Sequence, residues 1–465
     1  MTHNIAGAAK APRGGVRGGV DDPRHPPTGV PIPSGSMVRS VLAAGGGRLL
    51  VLPVSGVLSL LTTRLVITGT GSIGFGFVSL IASLFAILPF GDLGLGAGVV
   101  NAVAQSPDAA EDVAVRRTIA ASLQILTCAA VLLVASDMIM MGMNAWEPLL
   151  GAPPGSGVNV AAGWALAALG LGMPLALGQR VLLGLHRMGT AAIVLMLGSV
   201  VTTSITFAAE RQHADLVYYA IAPPLGMAAA SAAQCLVIKR FGGPSPWRVV
   251  KSAIFERLSW KGMSATAVPM LVVTLGLPLA LQTDRIILSH FGSSLSLPVY
   301  SLGFQFYMPV WGLIASGGLA LWPVFAKRRS AGQVEGDQFL RAAVGFFAVC
   351  GSVAGLGLVV GGLLLDSVVS GNRIHLDAAL LVVFACLLVI QSVQLPLGMF
   401  FTDAPGLKFQ AWCVAGMVPV SVGISLALAP ALNGVGVLLG SIVAISVCQV
   451  LPGALRLRRA TDEVQ

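Results

Sequence analysis

Between residues 49 and 455 the chain is a succession of long apolar runs separated by short polar breaks. A helix needs about 20 apolar residues to cross about 30 Å of hydrocarbon, and the runs fit that length. Spans are predicted near 49–67, 73–100, 118–141, 159–184, 189–209 and 215–238, and again near 263–283, 297–325, 341–365, 376–401, 410–430 and 433–455. The pattern predicts an all-α integral membrane protein of 12 transmembrane helices. An even count puts both termini on the same side.

The distribution of positive charge orients this array, because Lys and Arg collect in cytoplasmic loops. With the N-terminus cytoplasmic, inner segments hold 23 of the 28 Lys and Arg residues, and outer ends and loops hold 4 (Arg64, Arg211, Arg285 and Arg373). Arg180 falls within a span. Inverting the chain or dropping one helix destroys the bias, so both termini are expected to be cytoplasmic.

Composition agrees. Charged residues are 10% and hydrophobic residues 55%, with a mean hydropathy of +0.85. Soluble chains carry about 25% charged residues, so most of this surface is expected to face lipid. The net charge of +9 does not indicate a nucleic-acid partner, since the basic residues sit in clusters between apolar runs. The six cysteines all lie in apolar segments without a CxxC pair, and read as small core residues. Residues 1–38 hold 7 Gly and 6 Pro and read as a disordered cytoplasmic tail. Gly69-Thr70-Gly71-Ser72-Ile73-Gly74 fits GxGxxG, but it lies in a turn between membrane helices and lacks the strand a dinucleotide fingerprint needs.

The longest inner loop, 239–262, divides the helices six and six. Thr62-Thr63-Arg64-Leu65-Val66-Ile67 matches Thr283-Asp284-Arg285-Ile286-Ile287-Leu288 at an offset of 221, and Val78-Ser79-Leu80 then finds Tyr300-Ser301-Leu302. The predicted organisation is therefore a tail (1–38), an N-lobe (39–238), a basic linker (239–262) and a C-lobe (263–458). The lobes are pseudo-symmetric, and transporters built this way bind substrate between their repeats. In the linker, Trp247 and Trp260 suit an inner-leaflet interface with anionic lipid.

Several stretches resemble one known family. Phe90-Gly91-Asp92-Leu93-Gly94-Leu95-Gly96 resembles the DLG stretch of the polysaccharide flippases, members of the multidrug/oligosaccharidyl-lipid/polysaccharide (MOP) superfamily. Asp284 to Leu288 with Tyr300-Ser301-Leu302 is similar to that family's seventh-to-eighth helix region. Trp322-Pro323-Val324-Phe325-Ala326-Lys327 resembles its exit from helix eight, and Asn433 to Gly440 the glycine-rich start of its last helix. The resemblance spans about residues 40–458. It implies two lobes that move lipid-linked sugars by alternating access.

A charge in mid-membrane costs about 2.5–3.5 kcal/mol, so each one marks a partner, a wet cavity or a route to the interface. The cavity candidates are Arg64, Asp92, Arg180, Asp284, Arg285 and Gln305. Arg64 and Arg285, at equivalent places in the repeat, could hold a diphosphate from both sides, since a guanidinium fork matches phosphate oxygens; snorkelling anchors are the competing reading. Asp92 could pair with an Arg or carry a proton or cation. Asp284 would orient Arg285. Gln391 and Gln394, with Gln305, read as helix-joining hydrogen-bond groups ahead of sugar ligands.

The expectation is a flippase in a bacterial plasma membrane that carries a polyprenyl-diphosphate-linked oligosaccharide outward. Membrane lipids, and a glycan polymerase or glycosyltransferases, are its expected partners. No cofactor is expected, and coupling to H+, Na+ or the membrane potential stays open. A lipid II flippase, a drug or cation antiporter and a membrane glycan polymerase are the alternatives. No nucleophile–base pair or metal-ligand cluster is visible in the sequence, so an enzyme is disfavoured.

Overall fold

The computed structural model describes residues 34–87, 95–255, 264–319, 321, 324, 325, 328, 338–402 and 404–462. Among the described residues every regular element is helical and none is a strand. The elements used below are α1 (Ser34–Ile87), α2 (Leu95–Gln105), α3 (Val113–Gly142), α4 (Trp146–Leu149), α5 (Val158–Gly172), α6 (Leu177–Gly184), α7 (Met188–Arg211) and α8 (Leu216–Val237). They continue with α9 (Pro246–Phe255), α10 (Ser264–Phe291), α11 (Ser296–Leu319), α12 (Gln338–Ser370), α13 (Ala378–Phe400), α14 (Ala404–Ile445) and α15 (Leu451–Asp462). Eight segments among the described residues are long and apolar enough to cross a membrane. Large apolar side chains stand exposed along them, such as Leu132, Leu171, Leu236, Val353 and Trp412. The chain is a multi-pass membrane protein.

Two of the long helices contain a break. Gly71 has φ 75° and ψ 177°, a region open essentially to glycine alone, so α1 is two helices, 34–70 and 72–87. Asn433 has φ 48° and ψ −129° and divides α14 in the same way. Its side-chain Oδ1 accepts the Ser293 N–H at 3.0 Å, which holds this strained turn in place. The helix at the start of the chain begins at Ser34 rather than near 49. Apolar windows mark hydrocarbon, whereas a nucleated helix extends readily into flanking residues. The span expected at 73–100 is described in two pieces, 72–87 and α2. Residues 88–94, which include Asp92, lie outside the described residues, as do residues 1–33 of the expected tail and most of the Trp322–Lys327 motif.

Packing is most extensive between the chain neighbours α12 and α13, between α10 and α14, and between the chain neighbours α7 and α8, while α1 is shared. It packs on α7 from the first half of the chain and on α10 and α11 from the second. One apolar core runs across both halves at the Gly71 end, where Ile67, Leu80 and Ile81 join Leu288, Tyr300, Leu302 and Phe384. A second core, with Val99, Leu126, Val181 and Ile238, belongs to the first half alone. The linker contains the short helix α9, which packs on α3 and leaves Trp247, Val250 and Ile254 exposed. Their i, i+3, i+7 spacing puts them on one face.

Candidate functional site

The site is built where α10 approaches the Gly71 turn. Asp284 and Arg285 are consecutive on that helix, so their side chains leave in different directions. The Asp284 carboxylate is buried and accepts three hydroxyl hydrogen bonds: from Ser425 at 3.3 Å, Ser441 at 3.1 Å and Tyr300 at 3.3 Å. Arg285 is also buried and turns the other way. Its Nη1 donates to the Ser79 carbonyl of α1 and to Gln282 Oε1, each at 3.2 Å. The guanidinium lies 4.4 Å from the centre of the Phe304 ring, an attraction worth about 2 kcal/mol when desolvated. Among the described residues its Nε has no hydrogen-bond partner. No hydrogen bond joins Asp284 to Arg285 among the described residues: the guanidinium meets a ring and two neutral acceptors, and the carboxylate accepts from hydroxyls.

Around this pair stands an aromatic cluster of Tyr300, Phe304, Tyr307 and Phe384, with ring centres between 5.4 and 6.3 Å apart. Tyr307 donates its hydroxyl to Gln391 Oε1, joining α11 to α13. Gln391 is thus engaged in helix contact. Gln305 Oε1 accepts the Ser59 hydroxyl at 3.3 Å, a bond between the two halves of the chain. Gln394 lines a small, mostly apolar recess with Gln410 and Gln449 among α13, α14 and the π turn Ser446–Val450. Arg180 is half-buried on α6. Asp92 lies outside the described residues.

Arg64 sits on the other side of the join. It is exposed, and its Nη1 donates to the Val368 carbonyl near the end of α12 at 2.8 Å. Arg64 and Arg285, equivalent by sequence, thus each reach a backbone carbonyl in the opposite half of the chain, at different depths. The structure does not bring their guanidiniums onto a shared partner. Other bonds cross nearby. Arg373 Nη1 donates to the Ile67 and Thr68 carbonyls at 2.9 and 3.0 Å, and Ser72 Oγ to the Arg373 carbonyl at 3.4 Å. The ring of His290 meets the Pro148 carbonyl through Nε2 at 3.1 Å. Among the described residues, the hydrogen bonds between the halves gather at the Gly71 end, with Ser59–Gln305 the deepest.

Sequence reasoning missed the two serines and the tyrosine around Asp284, and it treated Arg373 as a loop charge. A signal for the serines was present. Ser425 and Ser441 each stand eight residues from Asn433, so any tight hairpin at that residue places them side by side.

Residues 39–328 match the model of a family described as "Polysaccharide biosynthesis protein". No curated protein sequence matches the chain. Among solved structures, the chain is similar to an inward-facing multidrug resistance MATE transporter of the MOP superfamily, at 16% identity and a TM-score of 0.65, covering 88% of this chain and 96% of that one. It is also similar to the lipid II flippase MurJ in an inward closed conformation, at 12% identity and a TM-score of 0.60, covering 90% and 87%. A third is the MATE multidrug transporter DinF-BH, at 14% identity and a TM-score of 0.62, covering 92% and 97%.

Proposed function

Given that this chain belongs to the polysaccharide biosynthesis protein family and has the fold of the MOP-superfamily transporters, we propose that it flips a polyprenyl-diphosphate-linked oligosaccharide, or a related glycan precursor, from the inner to the outer leaflet of a bacterial plasma membrane. The observation that carries this reading is Arg285: a buried guanidinium at the join of the two halves whose hydrogen bonds, among the described residues, run to neutral acceptors and leave Nε without one. A site of that kind suits an anionic head group better than a cationic drug, because guanidinium pairs with phosphate far more strongly than with carbonyl.

The topology under this proposal has twelve crossings in two six-helix lobes joined by the 239–262 linker, with both termini cytoplasmic. Eight long apolar segments, the breaks at Gly71 and Asn433, and the lengths of α10 and α11 support that count. The Gly71 end then faces outward. The head group enters between the lobes from the cytoplasm while its lipid tail stays in the bilayer, and parting of the lobes at the Gly71 end releases it. Arg64, Arg180, Asp284, Arg285 and Gln305, with Asp92, are the proposed cavity residues. With the inside negative, outward movement of an anion gains about 2.3 kcal/mol per charge per 100 mV. Asp284 with its three hydroxyls offers oxygens suited to a proton or small cation, so ion coupling is the second drive to separate by imposing potential and ion gradients individually. A glycan polymerase or glycosyltransferases would supply and consume the substrate.

Depletion of the protein in its native cell tests this directly. Precursor should accumulate on the cytoplasmic leaflet and be cleared by the wild type but not by Arg285→Glu. Sensitivity to cationic drugs without precursor accumulation would replace the flippase with a drug exporter.

A further inference from the structure

At the Gly71 end, each half of the chain lends one arginine to the other. Arg64, from the last turns of 34–70, donates to the Val368 carbonyl near the C-terminus of α12. Arg373, three residues beyond that helix, donates to the Ile67 and Thr68 carbonyls just before the Gly71 break. The acceptors on both sides are the terminal carbonyls of a helix, groups without an intrahelical partner and carrying partial negative charge. Capping from within one half would satisfy them equally well. Here both caps cross the join, and both cations are exposed. Among the described residues neither guanidinium meets a carboxylate, and the salt bridge there, Arg248–Glu111, lies elsewhere.

Two cations closed on neutral acceptors make a contact that an anion can take apart. A phosphate oxygen pair binds a guanidinium through two parallel bonds between opposite charges, a pairing that a neutral carbonyl does not match. The carbonyls released would face an exposed surface, where water replaces the arginine. We propose that Arg64 and Arg373 form a reciprocal clasp that closes the Gly71 end, and that a diphosphate group opens it by drawing both guanidiniums onto itself. The clasp is then also the last binding site on the exit route. Its two guanidinium forks supply donors for both phosphates of such a head group. This inference rests on the flippase reading for its substrate, and on the structure alone for the clasp.

Spin labels at Gln212 and His375, both exposed at this end and outside the clasp, would report its opening in the full-length protein with native cysteines replaced. In nanodiscs without ligand, the distance should be short and narrowly distributed. The double variant Arg64→Gln, Arg373→Gln should shift it to a longer population. Farnesyl diphosphate should produce the same shift in the protein with both arginines, inorganic pyrophosphate should do so at higher concentration, and sulfate should not. If the double variant leaves the distance unchanged, or if neither diphosphate moves it, the proposal is overturned. A response to inorganic pyrophosphate equal to that of farnesyl diphosphate would overturn the lipid head group as source and keep the clasp. Diphosphate-driven opening in a protein that fails to flip glycan lipid would sink the flippase and keep the clasp. Normal flipping with a diphosphate-insensitive distance would do the reverse.

Discussion

Three hydroxyls from Tyr300, Ser425 and Ser441 converge on Asp284; Ser425 also reaches the Val437 carbonyl and Ser441 the Ser421 hydroxyl, so Tyr300 depends most on the carboxylate. Asp284→Leu removes that acceptor and leaves the Tyr300 hydroxyl unpaired, at about 1–3 kcal/mol for a buried group without a partner. Its thermal unfolding midpoint in detergent should fall well below that of Asp284→Asn, which keeps an acceptor oxygen. Equal midpoints for the two would show that the Tyr300 hydroxyl finds another partner. Arg285 poses a different test. Arg285→Lys keeps the charge but loses the planar stack on Phe304 and the forked donors. Transport should drop about tenfold, equivalent to about 1.4 kcal/mol, with the protein still folded. The charge of Arg285 was legible in the sequence, but its partners were not: a carbonyl 206 residues away leaves no mark on local composition.

Among the elements, the hairpin at Asn433 does most to assemble the site, because it sets Ser425 opposite Ser441 beside Asp284. Its two helices approach closely at Gly440, where an added Cβ would lie 2.4 Å from Ser425 Oγ and 2.9 Å from Ser425 N. Backbone cannot yield as a flexible side chain can. Gly440→Ala should destabilise the protein by about 1–3 kcal/mol, in the range of overpacked cores, and the loss should appear as a lower unfolding midpoint. An unchanged midpoint would mean the hairpin is looser than described. The glycine-rich run itself was visible in the sequence, but which glycine meets which serine depends on the turn residue, and Asn at positive φ is seldom predicted from sequence.

The start of α3 offers a pH test outside the membrane. Asp112 caps this helix, accepting from the Ala114 N–H at 2.8 Å and from the Ser106 hydroxyl at 2.7 Å. The Ser106 hydroxyl first, and then the Ala114 amide, hold its carboxyl below the usual carboxylate range. A depressed folded value means the cap stabilises above the ordinary carboxylate range and is lost as pH falls through the lowered value. Protection of the Ala114 and Val115 amides from hydrogen exchange, relative to their intrinsic rates, should therefore fall at acid pH. In Asp112→Asn, that pH-dependent loss of protection should disappear; its persistence would assign it to another group.

At the scale of the whole molecule, hydropathy foretold an all-helical, multi-pass chain because lipid imposes one rule on every span, that backbone polar groups be satisfied within the helix. It located runs of helix well and their ends poorly. Ser34 and the Gly71 break are set by helix propagation and glycine geometry, to which an apolar window is blind. The repeat between Thr62–Ile67 and Thr283–Leu288 pairs Arg64 with Arg285, and each donates to a carbonyl of the other half. It could not foresee that one would be exposed on Val368 and the other buried on Ser79, because near-equal sequences meet unequal surroundings once each half packs against the other.

The central claim is outward movement of a diphosphate-linked glycan lipid, and reconstitution measures it most directly. Purified protein in proteoliposomes, loaded on one leaflet with a short-chain polyprenyl-diphosphate oligosaccharide, would be probed by a glycosidase added outside. Faster exposure of the glycan than in protein-free vesicles, abolished by Arg285→Glu in folded protein, is the result predicted. Exposure no faster than in empty vesicles, with transport of a cationic dye by the same preparation, would contradict it.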